Sequence, residues 1–508
     1  DVRPNYLFVE YLIYPKEVFA MIFADYKIEL FIALVMIAIF AYLFFKYDKN
    51  DSEGIYEKSY TKRIVVFFIL FLVLFIGARS SFGHRPANTS DAMYTSNRMV
   101  NEITKNSIYN IVYAIYVSNT HGSKQVKKLY GDMYISEAFS RVKKRLNIQS
   151  NDDNTSLFRE EKSHFKSLKS KNLVIFVQES MGYQVVNAVG GEEGITPNLN
   201  KLSKEGILFK NLYSNGTRSI RGLAGLTAGN FSVPGKGVLK RNKSQSNFFT
   251  LASALKPFGY YTSFIYGGES RFDNMRSWYI GNGFDEIVDQ PMFEHPTFTS
   301  PWGVCDEDLV TKANIEFKKM YAQNKKFATV MFSTSNHSPF DCPYEKIDLV
   351  DKNNIKSVKN AVKYADYAIG KFIELAKKEK YYKDTVIVIV ADHNVRVYGE
   401  DMVPVDMFHI PALILGADMK PIVYDKISTQ PDILATALDL IGLDLTYPIM
   451  GKSIFSEEKN NISLMQFHSI YALRVGDKVA VIRPNKEAVT FLYKEPSSYL
   501  DKSSHLTQ

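Results

Sequence analysis

The sequence predicts an α/β protein with a doubly wound, mainly parallel sheet, preceded by transmembrane helices and followed by a small antiparallel subdomain. Two observations predict the sheet. Short apolar runs rich in β-branched residues, such as "NLVIFVQES" and "TVIVIVADHN", alternate with amphipathic helical patterns such as "NAVKYADYAIGKFIELAKKEK". Strands that are apolar throughout are buried on both faces, and the helices between them make the sheet parallel. A third observation, two uncharged apolar runs near the start, predicts the membrane region.

The membrane region is predicted to occupy residues 1–80, with spans at about 28–46 and 62–79. Leu30–Phe45 and Ile64–Ala78 contain no charged residue. Each run is somewhat shorter than the roughly 20 residues that cross a bilayer, and flanking residues extend it. The loop at 46–63 carries five Lys or Arg residues. The positive-inside rule therefore puts this loop in the cytoplasm and everything after Arg79 outside it.

The rest of the chain divides by composition into three predicted regions. Residues 81–170 are polar and partly helical, and we expect a connector there. Residues 171–455 carry the alternating strands and helices of a catalytic domain, and 456–508 read as an antiparallel subdomain. The net charge of +8 is spread along the chain and no nucleic-acid motif is visible, so we expect no nucleic-acid partner. The two cysteines, Cys305 and Cys342, leave open whether they pair.

Polar residues follow the predicted strands where each strand ends. Glu179 follows "LVIFVQ", His337 ends "STSNH", and Asp392 with His393 follows "TVIVIVA". Ligands bind outside the carboxyl ends of such strands, so we expect these side chains at one rim. Each has an ordinary alternative as a capping or surface residue. Together, two carboxylates and an imidazole make an oxygen-rich set that suits Mn²⁺, Mg²⁺ or Zn²⁺.

A hydroxyl candidate for this rim lies in "SNGTRSIRGL", where a turn feeds a helix. Thr217 stands there beside Arg218, with Arg221 further on. An isolated Thr before a helix is usually an N-cap. Alternatively, a divalent cation activates this otherwise inert hydroxyl for attack on a phosphoryl group. Arg218 and Arg221 then add positive charge for an anion at the helix start.

Six segments together resemble the alkaline phosphatase/sulfatase superfamily, and within it the lipoteichoic acid synthases and their Gram-negative relatives that transfer phosphoglycerol. They occur in that family's order across about 170–455. They are "VIFVQES", "TPNLNKLSKEGILFKNLYSNGTRSIRG", "WGVCDEDL", "FSTSNHSPF", "ADHN" and "HIPALILG". The two spans match the end of that family's five-helix membrane domain, so the resemblance implies that further helices lie upstream of Asp1.

The resemblance implies a phosphoglycerol transferase of the bacterial inner membrane, multi-pass, with a periplasmic or extracellular catalytic domain. Glu179, Thr217, Asp392 and His393 would hold one divalent metal, usually manganese in this family. Thr217 would take the phosphoglycerol head group from phosphatidylglycerol as a covalent intermediate and pass it to a glycan or glycerol-phosphate polymer. Substrate contacts are expected from His337, Arg218, Arg221, Trp302 and Asp273.

The head-group contacts are where the sequence departs from the synthases. In "YGGESRFDNMRSW", the positions at which those enzymes have His, Trp and Arg correspond to Tyr266, Asp273 and Met275. Sulfatase activity is disfavoured, because sulfatases convert a Cys or Ser within Cys-x-Pro-x-Arg, and Thr217 occupies that place. A phosphoethanolamine transferase with the same chemistry, or a non-catalytic binding protein on the same fold, are the alternatives.

The predicted topology is testable by labelling in intact cells. A cysteine introduced at Asp51 should resist a membrane-impermeant maleimide until the cells are permeabilised, because the loop at 46–63 faces the cytoplasm. A cysteine at Ser81 should be labelled without permeabilisation. Labelling at position 51 from outside would overturn the assignment.

Overall fold

The structure, a computed structural model, describes residues 27–47, 59–79, 89–93, 95, 98–112, 123–148, 156–166, 169–395, 397, 399, 401–416, 418–457, 459–494 and 499–502. Most of the predicted cytoplasmic loop, at 48–58, lies outside these ranges. The chain divides into two compact units, one of Asp1–Tyr94 with Met99–Thr120 and one of Thr95–Arg98 with His121–Gln508. The boundary near residue 120 falls inside the predicted connector, whose later part therefore belongs with the body.

The first unit contains both predicted spans as helices, α1 (Lys27–Tyr47) and α2 (Tyr60–Arg79). Both helices are strongly apolar, and neither is buried within the protein. Both helices are long and apolar enough to cross a bilayer. A short helix, α3 (Arg98–Thr104), follows them.

The second unit contains the remaining described helices and the strands. The helices are α4 (Ser123–Tyr130), α5 (Ile135–Leu146), α6 (Pro197–Leu202), α7 (Ser219–Ala228), α8 (Leu251–Leu255), α9 (Met275–Gly281), α10 (Asp306–Ala322), α11 (Val358–Lys377) and α12 (Gln430–Leu440). The strands are β1 (Arg159–Glu161), β2 (Asn172–Gln178), β3 (Ile207–Tyr213), β4 (Tyr260–Tyr266), β5 (Glu286–Val288), β6 (Thr299–Ser300), β7 (Gly303–Val304), β8 (Lys326–Phe332), β9 (Thr385–Ala391), β10 (His409–Leu415), β11 (Ile422–Tyr424), β12 (Ser428–Thr429), β13 (Leu445–Tyr447), β14 (Ile462–Phe467), β15 (Ile470–Val475), β16 (Lys478–Ile482), β17 (Val489–Lys494) and β18 (Tyr499–Lys502).

The central sheet has nine strands in the order β11-β3-β10-β9-β2-β8-β4-β5, with β12 also pairing β3. β9, β2, β8, β4 and β5 are mutually parallel. β10 runs antiparallel to both of its neighbours, so the sheet is mixed but mainly parallel, as predicted. Every residue of β2 and β9 is buried, which requires packed layers on both faces of the sheet.

The small C-terminal sheet is an antiparallel meander of β14 to β18, as predicted from the alternating pattern. Its apolar face packs on Tyr213 at the end of β3 and on the segment around Phe408. The Arg474 guanidinium donates a 2.6 Å hydrogen bond to the Tyr213 hydroxyl. The backbone N–H of Gln466 donates to the backbone carbonyl of Asn215 at 3.1 Å. The meander therefore holds the loop that leads from β3 into α7.

Helix α7 approaches the end of β9 closely because its second turn contains glycine. A methyl group at Gly222 would overlap the backbone carbonyl of Asp392. α7 begins at Ser219, after Arg218 in extended conformation with φ −145° and ψ 142°. The contact at Gly222 thus sets how near the first residue of α7 lies to the carboxyl end of β9.

Substitution Gly222→Ala is expected to push α7 away from β9. We expect a cost of about 1–3 kcal/mol in the free energy of unfolding, as for overpacking elsewhere. That corresponds to a fall of roughly 2–10 °C in the thermal midpoint of a domain of this size, measured by scanning fluorimetry.

The matched control is Gly416→Ala, because a methyl group there meets first the flexible end of Met419 at 3.3 Å. An unchanged midpoint for Gly222→Ala, or an equal fall in both variants, would show that the close approach is not a constraint.

Candidate functional site

The site lies at the carboxyl ends of β2 and β9. These two parallel strands are direct neighbours, and their last residues, Gln178 and Ala391, are paired. Glu179 follows one strand and Asp392 with His393 follows the other. Parallel pairing in this register therefore puts two carboxylates and an imidazole side by side. The structure brings together the three side chains that the sequence selected.

The three side chains form a compact buried cluster. Their ligand-type atoms all lie within 4.8 Å of one another. His393 Nε2 is 3.3 Å from Asp392 Oδ2 and 3.7 Å from Glu179 Oε1. Asp392 is fully buried, while Glu179 and His393 are 6% and 7% exposed. This is the spacing at which one cation contacts all three groups.

Hydrogen bonds from neighbouring groups orient each member of the cluster. Asp392 Oδ1 accepts the backbone N–H groups of Ser180 at 2.8 Å and His393 at 2.7 Å. The Ser180 hydroxyl donates to Glu179 Oε1 at 2.6 Å. His393 Nδ1 lies 2.6 Å from the Asn394 carbonyl, which only accepts, so Nδ1 carries the proton. Nε2 is therefore the ring nitrogen that faces the carboxylates and is available to a cation, the arrangement typical of a metal-bound histidine.

The cluster has the electrostatics of a cation site. Burial, and secondly the neighbouring Asp392, raises the pKa of Glu179 to about 7. Burial likewise raises the pKa of Asp392. Asp392 Oδ2 is buried and has no hydrogen-bond partner among the described residues. Two buried carboxylates with an unpartnered oxygen are costly unless a cation neutralises them, so these residues fit a divalent metal.

The hydroxyl at the cluster belongs to Ser219, which corrects the prediction for Thr217. Ser219 Oγ lies 3.3 Å from Glu179 Oε2 and 3.3 Å from His393 Nε2. Within the described chain, no hydrogen bond links Thr217 to the cluster. The reason is that the backbone stays extended through Arg218, so the helix begins at Ser219, one residue later than an N-cap at Thr217 predicts.

Of the two arginines, Arg221 differs from the prediction, whereas the contact predicted for Arg218 stays a prediction. Arg218 is the exposed N-cap residue of α7. Arg221 is 8% exposed, and its guanidinium donates to the carbonyls of Val233 at 3.1 Å and Gly235 at 2.6 Å. Burial lowers the pKa of Arg221. Its predicted contact with a phosphate is therefore corrected to a structural one that holds the loop beside α7.

Of the other predicted substrate contacts, Trp302 and His337 lie against each other, and Asp273 is paired with a different residue. The rings of Trp302 and His337 have centroids 3.4 Å apart, and Trp302 Nε1 donates to the Ser338 carbonyl at 2.7 Å. His337 lies in the segment that follows β8, the strand beside β2. Asp273 forms a 2.5 Å ion pair with Lys240. His337 and Trp302 thus stand as a unit, whereas the Asp273 carboxylate is already engaged.

Two site residues were missed in the sequence, Ser180 and Ser219. Ser180 follows Glu179 directly and takes a left-handed backbone conformation with φ 52°, which aims its N–H and hydroxyl at different carboxylates. Such strain in a residue other than glycine is concentrated at functional sites. The signal for Ser219 was the glycine three residues after it, since Gly222 marks the face of α7 that approaches Asp392 at the end of β9.

The body of the chain is similar to known proteins. A family model described as Sulfatase matches residues 171–443. The chain is 25% identical over 339 residues to the lipoteichoic acid synthase-like protein YvgJ of Bacillus subtilis, covering 60% of this chain and 53% of that protein. It is 25% identical over 284 residues to phosphoglycerol transferase I of Escherichia coli, covering 52% and 36%. The chain spans about half the length, or less, of these curated relatives.

Two solved structures share the fold of the body. A protein in the alkaline phosphatase superfamily from Vibrio parahaemolyticus is 38% identical with a TM-score of 0.72, covering 75% of this chain and 93% of that chain. The lipoteichoic acid synthase LtaP from Listeria monocytogenes is 21% identical with a TM-score of 0.55, covering 71% and 93%.

Substitution Ser180→Ala tests whether the cluster holds a metal through oriented carboxylates. The variant loses the hydroxyl that fixes Glu179 Oε1 and keeps the N–H that fixes Asp392. Loss of a group that orients a metal ligand typically costs 10–100-fold in affinity. We expect a fall of about that size in Mn²⁺ affinity, measured calorimetrically on chelator-treated protein.

The matched control is Ser203→Ala, which removes a hydroxyl bonded only to a helix carbonyl. Equal Mn²⁺ affinity for Ser180→Ala and the control would contradict the orienting role. Failure of the unchanged protein to bind Mn²⁺, Mg²⁺ or Zn²⁺ would remove the metal site itself.

Proposed function

Since the chain belongs to the sulfatase family of the alkaline phosphatase superfamily, we propose that it is a membrane-anchored, metal-dependent phosphoglycerol transferase. Its donor is phosphatidylglycerol, and its acceptor is an extracytoplasmic glycan or glycerol-phosphate polymer. The names of the relatives, lipoteichoic acid synthase-like protein and phosphoglycerol transferase, support this reaction class. The observation that carries the proposal is the Ser219 hydroxyl placed against Glu179 and His393 at the sheet rim.

Glu179, Asp392 and His393, with Ser219 as the fourth group, would hold one divalent cation, with manganese the first to test. A bound cation would lower the pKa of a coordinated hydroxyl and stabilise negative charge on a phosphoryl oxygen. Ser219 starts α7, so the helix N-terminus further favours an anionic substrate there. The exposed Arg218 adds a positive charge next to it.

The transfer takes place in two displacements on the Ser219 hydroxyl. In the first, Ser219 Oγ bonds to phosphorus, the bond from phosphorus to the diacylglycerol oxygen breaks, and diacylglycerol leaves. Glu179 Oε2, to which the hydroxyl donates, is placed to accept its proton. We assign to His337, whose ring lies against Trp302, the protonation of the leaving diacylglycerol oxygen and a contact with the phosphoryl oxygens. In the second, an acceptor hydroxyl attacks phosphorus and gives its proton to the group that protonated the diacylglycerol oxygen. The bond from phosphorus to Ser219 Oγ breaks, and Oγ takes its proton back from Glu179.

Sulfatase activity is disfavoured on the corrected hydroxyl. Sulfatases convert serine but not threonine, so the identity of the hydroxyl residue no longer excludes this activity once Ser219 takes the place of Thr217. However, the residues after Ser219 are Ile, Arg, Gly and Leu, so the sulfatase pattern of Pro two residues on and Arg four residues on is missing. Group transfer through the unconverted hydroxyl is the consistent reading.

The test compares two hydroxyls that lie two residues apart. The detergent-solubilised protein is incubated with head-group-labelled phosphatidylglycerol, and its peptides are analysed by mass spectrometry. We expect a phosphoglycerol adduct on Ser219. Ser219→Ala should lower diacylglycerol release by at least about a thousandfold, as removal of a nucleophile does.

Thr217→Ala is the matched control and should keep activity within about threefold, because substitutions away from the reacting groups change free energies by about 0.5 kcal/mol or less. An adduct on Thr217, or full activity in Ser219→Ala, would refute the assignment. Labelled phosphatidylethanolamine run in parallel separates the alternative, since an ethanolamine adduct alone would replace the proposed donor.

A further inference from the structure

A run of three exposed apolar residues stands at the tip between α4 and α5. Met133, Tyr134 and Ile135 are 42%, 83% and 66% exposed. Single exposed apolar side chains are ordinary on a protein surface. In the described part of the second unit, no other three consecutive large apolar residues are exposed. We call Met133–Ile135 the apolar tip.

The segments on either side of the apolar tip are strongly basic. Residues 127–145 contain six Lys or Arg and two acidic residues, a net charge of +4. The two acids form exposed pairs, Asp132 with Lys127 at 2.9 Å and Glu137 with Arg141 at 2.6 Å. Exposed pairs of this kind are weak, so the surrounding field stays positive. Four of the cations lie close together in the last turns of α5, at 141 and 143–145, and one of them, Arg145, donates to the Asn460 carbonyl at 2.6 Å.

The apolar tip is connected to the candidate active site through the C-terminal meander. The Tyr130 hydroxyl, at the end of α4, donates to the Ser469 carbonyl at 2.8 Å. Ser469 lies in the turn between β14 and β15, and the Gln466 amide of the same hairpin donates to Asn215. Asn215 belongs to the loop that leads into α7 and Ser219. One hairpin therefore contacts both the helix before the tip and the loop before the catalytic hydroxyl.

We propose that the apolar tip inserts into the interfacial region of an anionic bilayer, with the basic residues of α5 at the lipid phosphates. A tyrosine between two apolar side chains is typical of protein segments that lie at the membrane–water interface. Basic segments beside an apolar surface bind anionic lipids through both burial and charge. The inference rests on the proposed function in one respect, that the substrate of the site is a lipid head group. Docking of the tip holds the loop before Ser219 at the level of those head groups.

The experiment places a fluorescent probe at the tip of the full chain. Tyr134→Cys is labelled with a nitrobenzoxadiazole dye; Cys305 and Cys342 are 3% and 2% exposed and are checked for labelling in the unchanged chain. The protein is reconstituted in nanodiscs of phosphatidylcholine, with or without phosphatidylserine, which is anionic but is not the proposed donor. Accessibility is measured with nitroxide on a lipid acyl chain and with aqueous iodide. The control carries the dye at Ile315→Cys, an exposed apolar position on α10.

In phosphatidylserine discs, we expect the dye at position 134 to be quenched by the lipid nitroxide and shielded from iodide, with weaker nitroxide quenching in phosphatidylcholine alone. The dye at 315 should stay open to iodide in both. Iodide quenching at 134 equal to that at 315 would overturn the proposal, because the tip is then in water. Shielding from both quenchers would also overturn it, because the tip is then covered by protein.

A second arm measures turnover in discs that contain phosphatidylglycerol. The double variant Met133→Asp, Ile135→Asp should raise the KM for this lipid on the order of tenfold, since it removes the inserted side chains. Turnover of a short-chain, water-soluble phosphatidylglycerol should be unchanged, whereas an equal loss on both substrates would contradict docking. If the unchanged protein turns over neither substrate, the proposed function fails, while the quenching experiment still decides the docking.

Discussion

The neighbouring placement of two buried carboxylates is the constraint on which the rest of this site depends. β2 and β9 pair in parallel, so Glu179 and Asp392 leave the sheet at the same level and cannot separate. Both lie away from water, where like charges repel strongly and neither is well solvated. The surrounding residues stabilise the two carboxylates by donating hydrogen bonds to them. The His393 imidazole lies near both acids. One oxygen, Asp392 Oδ2, accepts no hydrogen bond among the described residues and is available to a cation.

The neighbouring elements then fix a hydroxyl against that cluster. Gly222 lets α7 reach the end of β9. The Gln430 side chain links the loop before α7 to the residue after β9, because it accepts from the Asn215 backbone N–H at 3.0 Å and donates to the Asp392 carbonyl at 2.6 Å. The Arg221 guanidinium donates to two backbone carbonyls of the loop beside α7. Even the C-terminal meander, in which the sequence shows no chemistry, braces the loop before Ser219. α7, Gln430 and the C-terminal meander therefore together position the Ser219 hydroxyl.

The membership in the sulfatase family and the likeness to named transferases concern the body, not the whole length of the curated relatives. The metal cluster and the hydroxyl are carried on the elements that this body shares with the family. Asp273 lies in the stretch where the sequence departs from the synthases, and its carboxylate forms an ion pair with Lys240.

The main strands of the sheet, both apolar helices and three members of the cluster are predictable from the sequence alone. These features depend on local patterns, since buried strands show continuous apolar runs and the residues after them lie at one rim. The fourth member of the cluster is not predictable in this way. Whether Thr217 or Ser219 meets the cluster depends on where the backbone turns from extended to helical, and that point is set by the contact of Gly222 with Asp392, 170 positions away. The same holds for Arg221 and Ser180. The direction of a side chain depends on a few degrees of backbone rotation and on distant packing partners, which a local pattern does not contain.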